Sequence, residues 1–345
     1  MRLSDRFRLF RVKQRYMRAP VRRTGLVATV ALLLALAVVA LAIVERRTEG
    51  RQTAIDAFVH ARAVDPLEAI AAGFRSRRSV ILGDVTGAAA PKRFAADVIA
   101  FLARGLGLDI VAIEIGADLQ HVIDRYFDAE VDDASALLAN PRVLRSAEGD
   151  ASAWLDLYRR VWQLNRELGA DRRVRILAID RPGWPADRAM SPARLLPSLD
   201  QREADLVATV EQYLSTRSEP ASILFFVDGF HALHSTIRVQ TGAASITIMT
   251  VAMRLRNRGR AGAFSVLVDA TGASGLPVSP AYRPAGLYQL MRRASPTRTP
   301  LALPPAHDFP ATAADLAIAS PPGLNVHIEP LTTPLADLID LYIRL

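Results

Sequence analysis

The sequence predicts an α/β domain with a mostly parallel central sheet and helices on both faces, preceded by one N-terminal transmembrane helix. Three observations carry this expectation. Four apolar runs each end in a polar group: residues 79–84 at Asp84, 109–114 at Glu114, 174–180 at Asp180 and 223–228 at Asp228. Amphipathic helical stretches separate them, long enough for the crossovers that parallel strands require. Residues 25–44 (GLVATVALLLALAVVALAIV) carry no charge.

The twenty uncharged residues span about 30 Å as a helix, the thickness of a bilayer's hydrocarbon core. Nine basic residues between Arg2 and Arg23 precede them against Asp5 alone, and that excess of +8 equals the formal charge of the whole chain. The rest of the sequence balances to about zero, so net charge gives no support to nucleic acid binding. The positive-inside rule puts residues 1–24 in the cytoplasm and the folded part outside, across a bacterial inner membrane. Ala40, Leu41 and Ala42 offer a cleavage-site pattern, but the apolar stretch exceeds the usual 7–15 residues of a signal peptide, which favours an uncleaved signal-anchor. The lipid bilayer is then one partner, through residues 25–44. With no cysteine, the domain has no disulfide staples and relies on its core.

Residues 45–64 read as a helical stalk, and 65–345 as the extracytoplasmic domain. Ile55, Phe58 and Val59, then Leu67, Ile70 and Phe74, recur at helical spacing. Pro91, at a first helical position, opens a helix to Arg104, and the turn at 105–107 returns the chain to the run ending at Glu114. Helices are expected over 117–127, over 150–168 with Asp150 as cap, over 201–214 and over 246–258, with a strand at 264–269. The Pro-, Ala- and Gly-rich stretch 271–322 offers no core and reads as a lid or covering loop. Residues 325–329 and 335–345 read as a last strand and a closing element.

Loops at the carboxyl ends of parallel strands form the ligand crevice of an open α/β sheet, so four polar strand ends suggest one shared rim. His231 lies just past Asp228, and His234 follows three residues later. Asp84, Glu114 and His231 form a mixed oxygen and nitrogen set suited to a divalent metal, with Asp228 or His121 as extra ligands. Gly105-x-Gly107 lacks the context of a nucleotide fingerprint, and neither a Walker loop nor a nucleophile-elbow serine occurs.

The ordered series LGDxTG (82–87), AIE (112–114), IDRY (123–126), Ile179-Asp180, Arg202-Glu203, VDGFH (227–231) and MxL (253–255) resembles the erythromycin esterase family, within a wider group that holds the ChaN-type haem-binding lipoproteins and the Tiki proteases. The resemblance runs over roughly residues 65 to 345. It implies an acid after the first strand, a histidine in the same turn, a glutamate after the second strand and a late histidine. These map to Asp84 in place of the usual glutamate, to Gly87 in place of the early histidine, to Glu114 and to His231; Asp228 stands where the esterases often carry histidine.

Three readings follow. In one, the domain hydrolyses an ester, amide or lactone-like bond with Asp84, Glu114, His231 and Arg202, the histidine acting as general acid or base. In another, it binds a divalent metal or haem without catalysis. In the third, it is a degenerate member that binds a small molecule or an envelope partner.

Overall fold

The structure, a computed structural model of the 345-residue chain, describes residues 21–84, 88–145, 151–184, 195–258, 262–270, 286–295, 300–305, 307–316, 325–328 and 330–345. The basic leader up to residue 20, Gly87 and the proposed cap Asp150 lie outside the described residues. The chain divides into two compact units, ending and beginning at Ala54 and Ile55.

The described residues of the first unit are helical. Helix α1 (Val21–Arg62) is long and apolar enough to cross a membrane, and from Val30 to Val44 its large apolar side chains are exposed.

In the second unit, Ile55, Phe58 and Val59 are buried, and Phe58 packs on Phe309 at 4.7 Å between ring centroids. Helix α2 (Pro66–Arg77) starts at Asp65, whose carboxylate accepts from the Glu68 amide at 3.0 Å, with Pro66 in the first turn. Strand β1 (Ser79–Asp84) follows, then α3 (Ala89–Leu106), β2 (Ile110–Gly116), α4 (Gln120–Asp128), the short α5 (Ser135–Leu138), α6 (Ala151–Leu168) and β3 (Arg175–Asp180). Helix α7 (Leu199–Ser215) and β4 (Ile223–Asp228) lead into a 3-10 turn at Gly229–Ala232.

Seven strands form the main sheet in the order β3, β2, β4, β1, β7 (Phe264–Asp269), β10 (Leu341–Arg344) and β8 (Leu301–Leu303). Six are parallel and the edge strand β8 is antiparallel. Both faces are covered, which is why the strands read as continuous apolar runs rather than alternating ones. Val80 and Leu82 pack into a core with Phe94, Val98 and Leu102 of α3 and Leu157 and Val161 of α6. Ile81, on the opposite face, joins Leu206, Val207 and Val210 of α7.

Three expectations are corrected. The stretch 246–258 is not one helix: β5 (Thr236–Thr241) and β6 (Ala244–Met249) form a hairpin, and only α8 (Val251–Asn257) is helical, capped by Thr250. The hairpin turns at Gly242, with φ of 54°, and β5 pairs on its other side with β9 (Asn325–Ile328). The Pro-rich stretch does carry core: α9 (Gly286–Ala294) buries Leu287 and Met291, while Leu301, Leu303 and Phe309 are also buried. Pro91 is the third residue of α3, not the first. The closing element, α10 (Leu335–Leu338) followed by β10, is integral to the main sheet.

Strand β1 leads to α3 on one face and the neighbouring β4 leads to α8 on the other. Loops that part this way open a crevice at the carboxyl edge. Asp84 and Asp228, in register across the two strands, stand at it.

Candidate functional site

Glu114 sits two residues before the end of β2, where the pairing with β3 shifts register between Ile113 and Gly116. Its side chain is fully buried. Arg202, on the first half of α7, donates from Nη2 to Glu114 Oε1 and to Asp180 Oδ2, the latter at 2.6 Å, and from Nε to both Asp180 oxygens at 3.1 and 3.2 Å. The planar guanidinium thus spans the ends of β2 and β3, a task its fork geometry suits and an ammonium does not. Trp184 lies on it, the ring centroid 4.1 Å from Cζ.

Glu114 Oε2 accepts the backbone N–H of Asp228 at 3.0 Å and lies 3.7 Å from Arg145 Nη1. Arg145 also donates to both oxygens of Asp228, at 3.1 and 3.3 Å. It holds a left-handed backbone conformation, φ 46°, which costs a non-glycine residue energy and is met often at functional sites. Asp228 is the member that reaches solvent, its side chain 36% exposed.

The 3-10 turn after β4 sends His231 back under the sheet edge. Its Nδ1 lies 2.8 Å from Glu203 Oε2 and its Nε2 3.2 Å from Glu114 Oε1, the second contact being an ion pair outside hydrogen-bonding angles. Glu203 follows Arg202 on α7 and also accepts the Val251 amide at 3.2 Å. Burial alone would hold the imidazole neutral, but Glu203 and Glu114 outweigh it and push its pKa up to about 10. Burial likewise would raise the Glu114 carboxyl, yet His231, Arg202 and Arg145 hold it well below the usual carboxylate range.

Asp84, in register beside Asp228, meets a lysine. Its carboxylate accepts from Lys92 Nζ at 2.8 Å, both side chains buried, with the ammonium 5.6 Å from the Trp154 ring centroid. His121 is exposed and its ring contacts the Asp118 carbonyl, while His234 leaves the turn to meet Asp340 at 3.0 Å. The two histidines three apart therefore share no helix face.

One oxygen each from Glu114 and Asp228 and one nitrogen of His231 lie within 4.8 Å of one another, a spacing that suits a metal. The chemistry of the donors does not. Both Glu114 oxygens already face proton donors, and Asp228 holds Arg145. Among the described residues, Lys92, Arg145, Arg202 and His231 form ion pairs with Asp84, Glu114, Asp180, Glu203 and Asp228. Haem fares no better, because the fully buried His231 is clamped between two carboxylates.

Asp84, Glu114, Arg202, Asp228 and His231 are thus placed along one edge, with Asp84 paired to Lys92. The partners given no site role from the sequence are Lys92, Arg145 and Glu203, together with Trp184. Glu203 had a signal in its adjacency to Arg202 on an amphipathic helix; Arg145 had none, since a turn between two helices offers no periodicity.

No family model matches the chain, and no curated protein matches it in sequence. Solved structures do match in fold. A histidine-to-asparagine mutant of the erythromycin esterase EreC, in its open conformation, superposes with a TM-score of 0.54 at 12% identity, over 80% of this chain and 92% of that one. A protein from Bacillus cereus superposes at 0.51 and 10% identity, over 85% and 97%. The domain therefore has a fold resembling that of erythromycin esterase.

Proposed function

We propose that the chain is a membrane-tethered, extracytoplasmic hydrolase of an ester, amide or lactone-like bond, working at the carboxyl edge around Glu114, His231, Arg202 and Asp84. On this reading residues 25–44 anchor it in a bacterial inner membrane with the N-terminus in the cytoplasm, and it belongs to the wider group with the ChaN and Tiki proteins. The observation that carries the reading is the solvent-reaching Asp228 paired with the buried Arg145, fixed from below by Glu114 at the switch between β1 and β4. Asp228 can accept a proton from water while Arg145 balances negative charge developing on a carbonyl oxygen. Glu114 and Arg202 hold this pair in place, and Asp84 with Lys92 supports the neighbouring strand end.

The test is a panel of p-nitrophenyl esters and anilides with the full chain in detergent. Turnover above background that falls about 100-fold or more in Asp228→Asn supports the reading. Turnover that survives in both Asp228→Asn and Glu114→Gln overturns it. A second reading, a binding domain without catalysis, is favoured by the complete pairing of Glu114 with proton donors; it predicts no turnover on any substrate together with saturable binding at this edge.

A further inference from the structure

We infer that Lys92 is a catalytic residue of this edge: its ammonium, with the Arg145 guanidinium, seats the oxygen of a bound acyl group and takes up the negative charge which that oxygen gains. The inference rests on the reading that this edge is the working site. Of the 43 lysines and arginines only two are lysines, Lys13 in the leader and Lys92. Every other cationic side chain of the domain is therefore arginine or histidine, and position 92 is where a compact ammonium stands instead of the planar fork. Lys92 lies near the start of α3, the helix that follows β1, and its side chain is 4% exposed. An ammonium carries three N–H donors. One meets Asp84 Oδ2 at 2.8 Å, and the other two have no hydrogen-bond acceptor among the described residues. The Trp154 ring, its centroid 5.6 Å from Nζ, offers the charge a π face but no lone pair. Buried donors left in this way are costly, and the oxygen of a ligand relieves them.

A second cation stands beside the same indole. Arg145 Cζ is 5.7 Å from the Trp154 centroid, and its Nη2 holds Asp228, the in-register neighbour of Asp84. Two carboxylates thus lie side by side at the ends of β1 and β4, each with its own cation, and one ring packs near both cations. They differ in access: the Asp84 side chain is 6% exposed and that of Asp228 36%. The division of labour follows. As the oxygen of water bonds to the acyl carbon, Asp228 takes its proton, and the carbonyl π pair moves onto the carbonyl oxygen, where the N–H groups of Lys92 and the charge of Arg145 receive it. When that pair returns, the bond to the leaving oxygen or nitrogen breaks, and the leaving atom takes the proton back from Asp228. Donors preset on a buried side chain gain most at the moment a carbonyl becomes an oxyanion. Two cations suit a centre that gains negative charge, as an acyl carbon's oxygen does, and not a glycosidic carbon, which gains positive charge.

The experiment uses the full chain in detergent, labelled with nitrogen-15 at lysine, which gives two side-chain signals; Lys13→Arg leaves that of Lys92 alone. The probe is p-nitrophenyl methylphosphonate, a stable tetrahedral anion shaped like the intermediate of ester hydrolysis. It should move the Lys92 Nζ signal saturably and leave the Lys13 signal where it was. Its dissociation constant, read by titration calorimetry, should rise about 10-fold or more in Lys92→Met and should not rise in Asp84→Asn. A lysine that only supports Asp84 would make the two variants alike, because each breaks the same ion pair. A Lys92 signal unmoved at millimolar probe overturns the inference, whether or not Lys92→Met folds, and so does an affinity unchanged in that variant or lowered equally in both. None of these readouts needs turnover. A probe that moves Lys92 without turnover of any ester or anilide would sink the hydrolase reading and keep the oxyanion seat; turnover that falls in Asp228→Asn while the Lys92 signal stays unmoved would sink the seat alone.

Discussion

Replacing Arg202 by methionine tests the charge ladder most directly. The guanidinium is 3% exposed and bridges Glu114 and Asp180, which are buried as completely as any side chains in the domain. Methionine fills similar length but leaves two carboxylates facing each other without a cation. Removing one partner of a buried pair costs about 3–5 kcal/mol, against a total of roughly 5–15 kcal/mol for a domain. Trp184 loses the cation it stacks on as well, worth about 1 kcal/mol. The variant should therefore lose about 4 kcal/mol in equilibrium urea unfolding followed by tryptophan fluorescence. At a slope of about 1–3 kcal/mol/M the midpoint falls by more than about 1 M. Arg202→Lys should recover less than half, because one ammonium cannot span both carboxylates. A triple change, Arg202→Met with Glu114→Gln and Asp180→Asn, should recover more, since it removes the stranded charges. A loss below about 1 kcal/mol in Arg202→Met, or no recovery in the triple variant, would refute the account.

Three further outcomes follow from the same geometry. His231 titrates near 6.5 when unfolded and near 10 when folded, so its stabilisation is complete below pH 6.5 and is lost as pH rises through 10. At about 1.36 kcal/mol per unit this is roughly 4 kcal/mol, read as the difference between wild-type and His231→Gln unfolding free energies at pH 6 and pH 10; a flat difference contradicts it. Gly83→Ala would set a methyl 2.7 Å from Ala232 Cβ and 3.0 Å from Gly229 Cα, so the turn carrying His231 must shift, and a thermal melt should fall in line with about 1–3 kcal/mol. Zinc or manganese at millimolar concentration should leave the melting temperature of the chelator-treated chain unchanged, because a matched donor set has no vacancy for a cation to stabilise; a rise of several degrees would restore the metal reading.

The strand ends were legible because a parallel sheet covered on both faces writes itself as apolar runs, and Asp84, Glu114, Asp180 and Asp228 close them visibly. Pairing was not. Asp84 looks equivalent to Glu114 in sequence, yet Lys92, near the start of α3, claims it. Arg145 reaches the site from a turn whose single left-handed residue leaves no trace in composition. The misread hairpin has a similar cause. Ile246, Met249 and Ala252 recur at helical spacing, while Ile246, Ile248 and the threonines beside them also fit a strand, and a short apolar run carries both periods. The partner strands β5 and β9 decide between them, and they are set by tertiary structure.

The ladder Asp180–Arg202–Glu114–His231–Glu203 alternates in sign, and every rung is buried. Such chains are poor instruments of stability: taking charges out of water costs several kcal/mol per ion, and apolar side chains of similar volume often serve as well or better. The surrounding strands already supply apolar packing on both faces, from Ile113 and Phe226 on one side to Ile179 and Phe225 on the other. A fold held for stability alone had leucines to place there. What the ladder does supply is a fixed field at one end of the sheet, with Glu114 as the rung that passes it outward to the Asp228 amide and to Arg145. Dipoles and charges preset in this way need no reorganisation when charge develops on a bound molecule, which is the property a reacting or binding edge requires and a merely stable one does not.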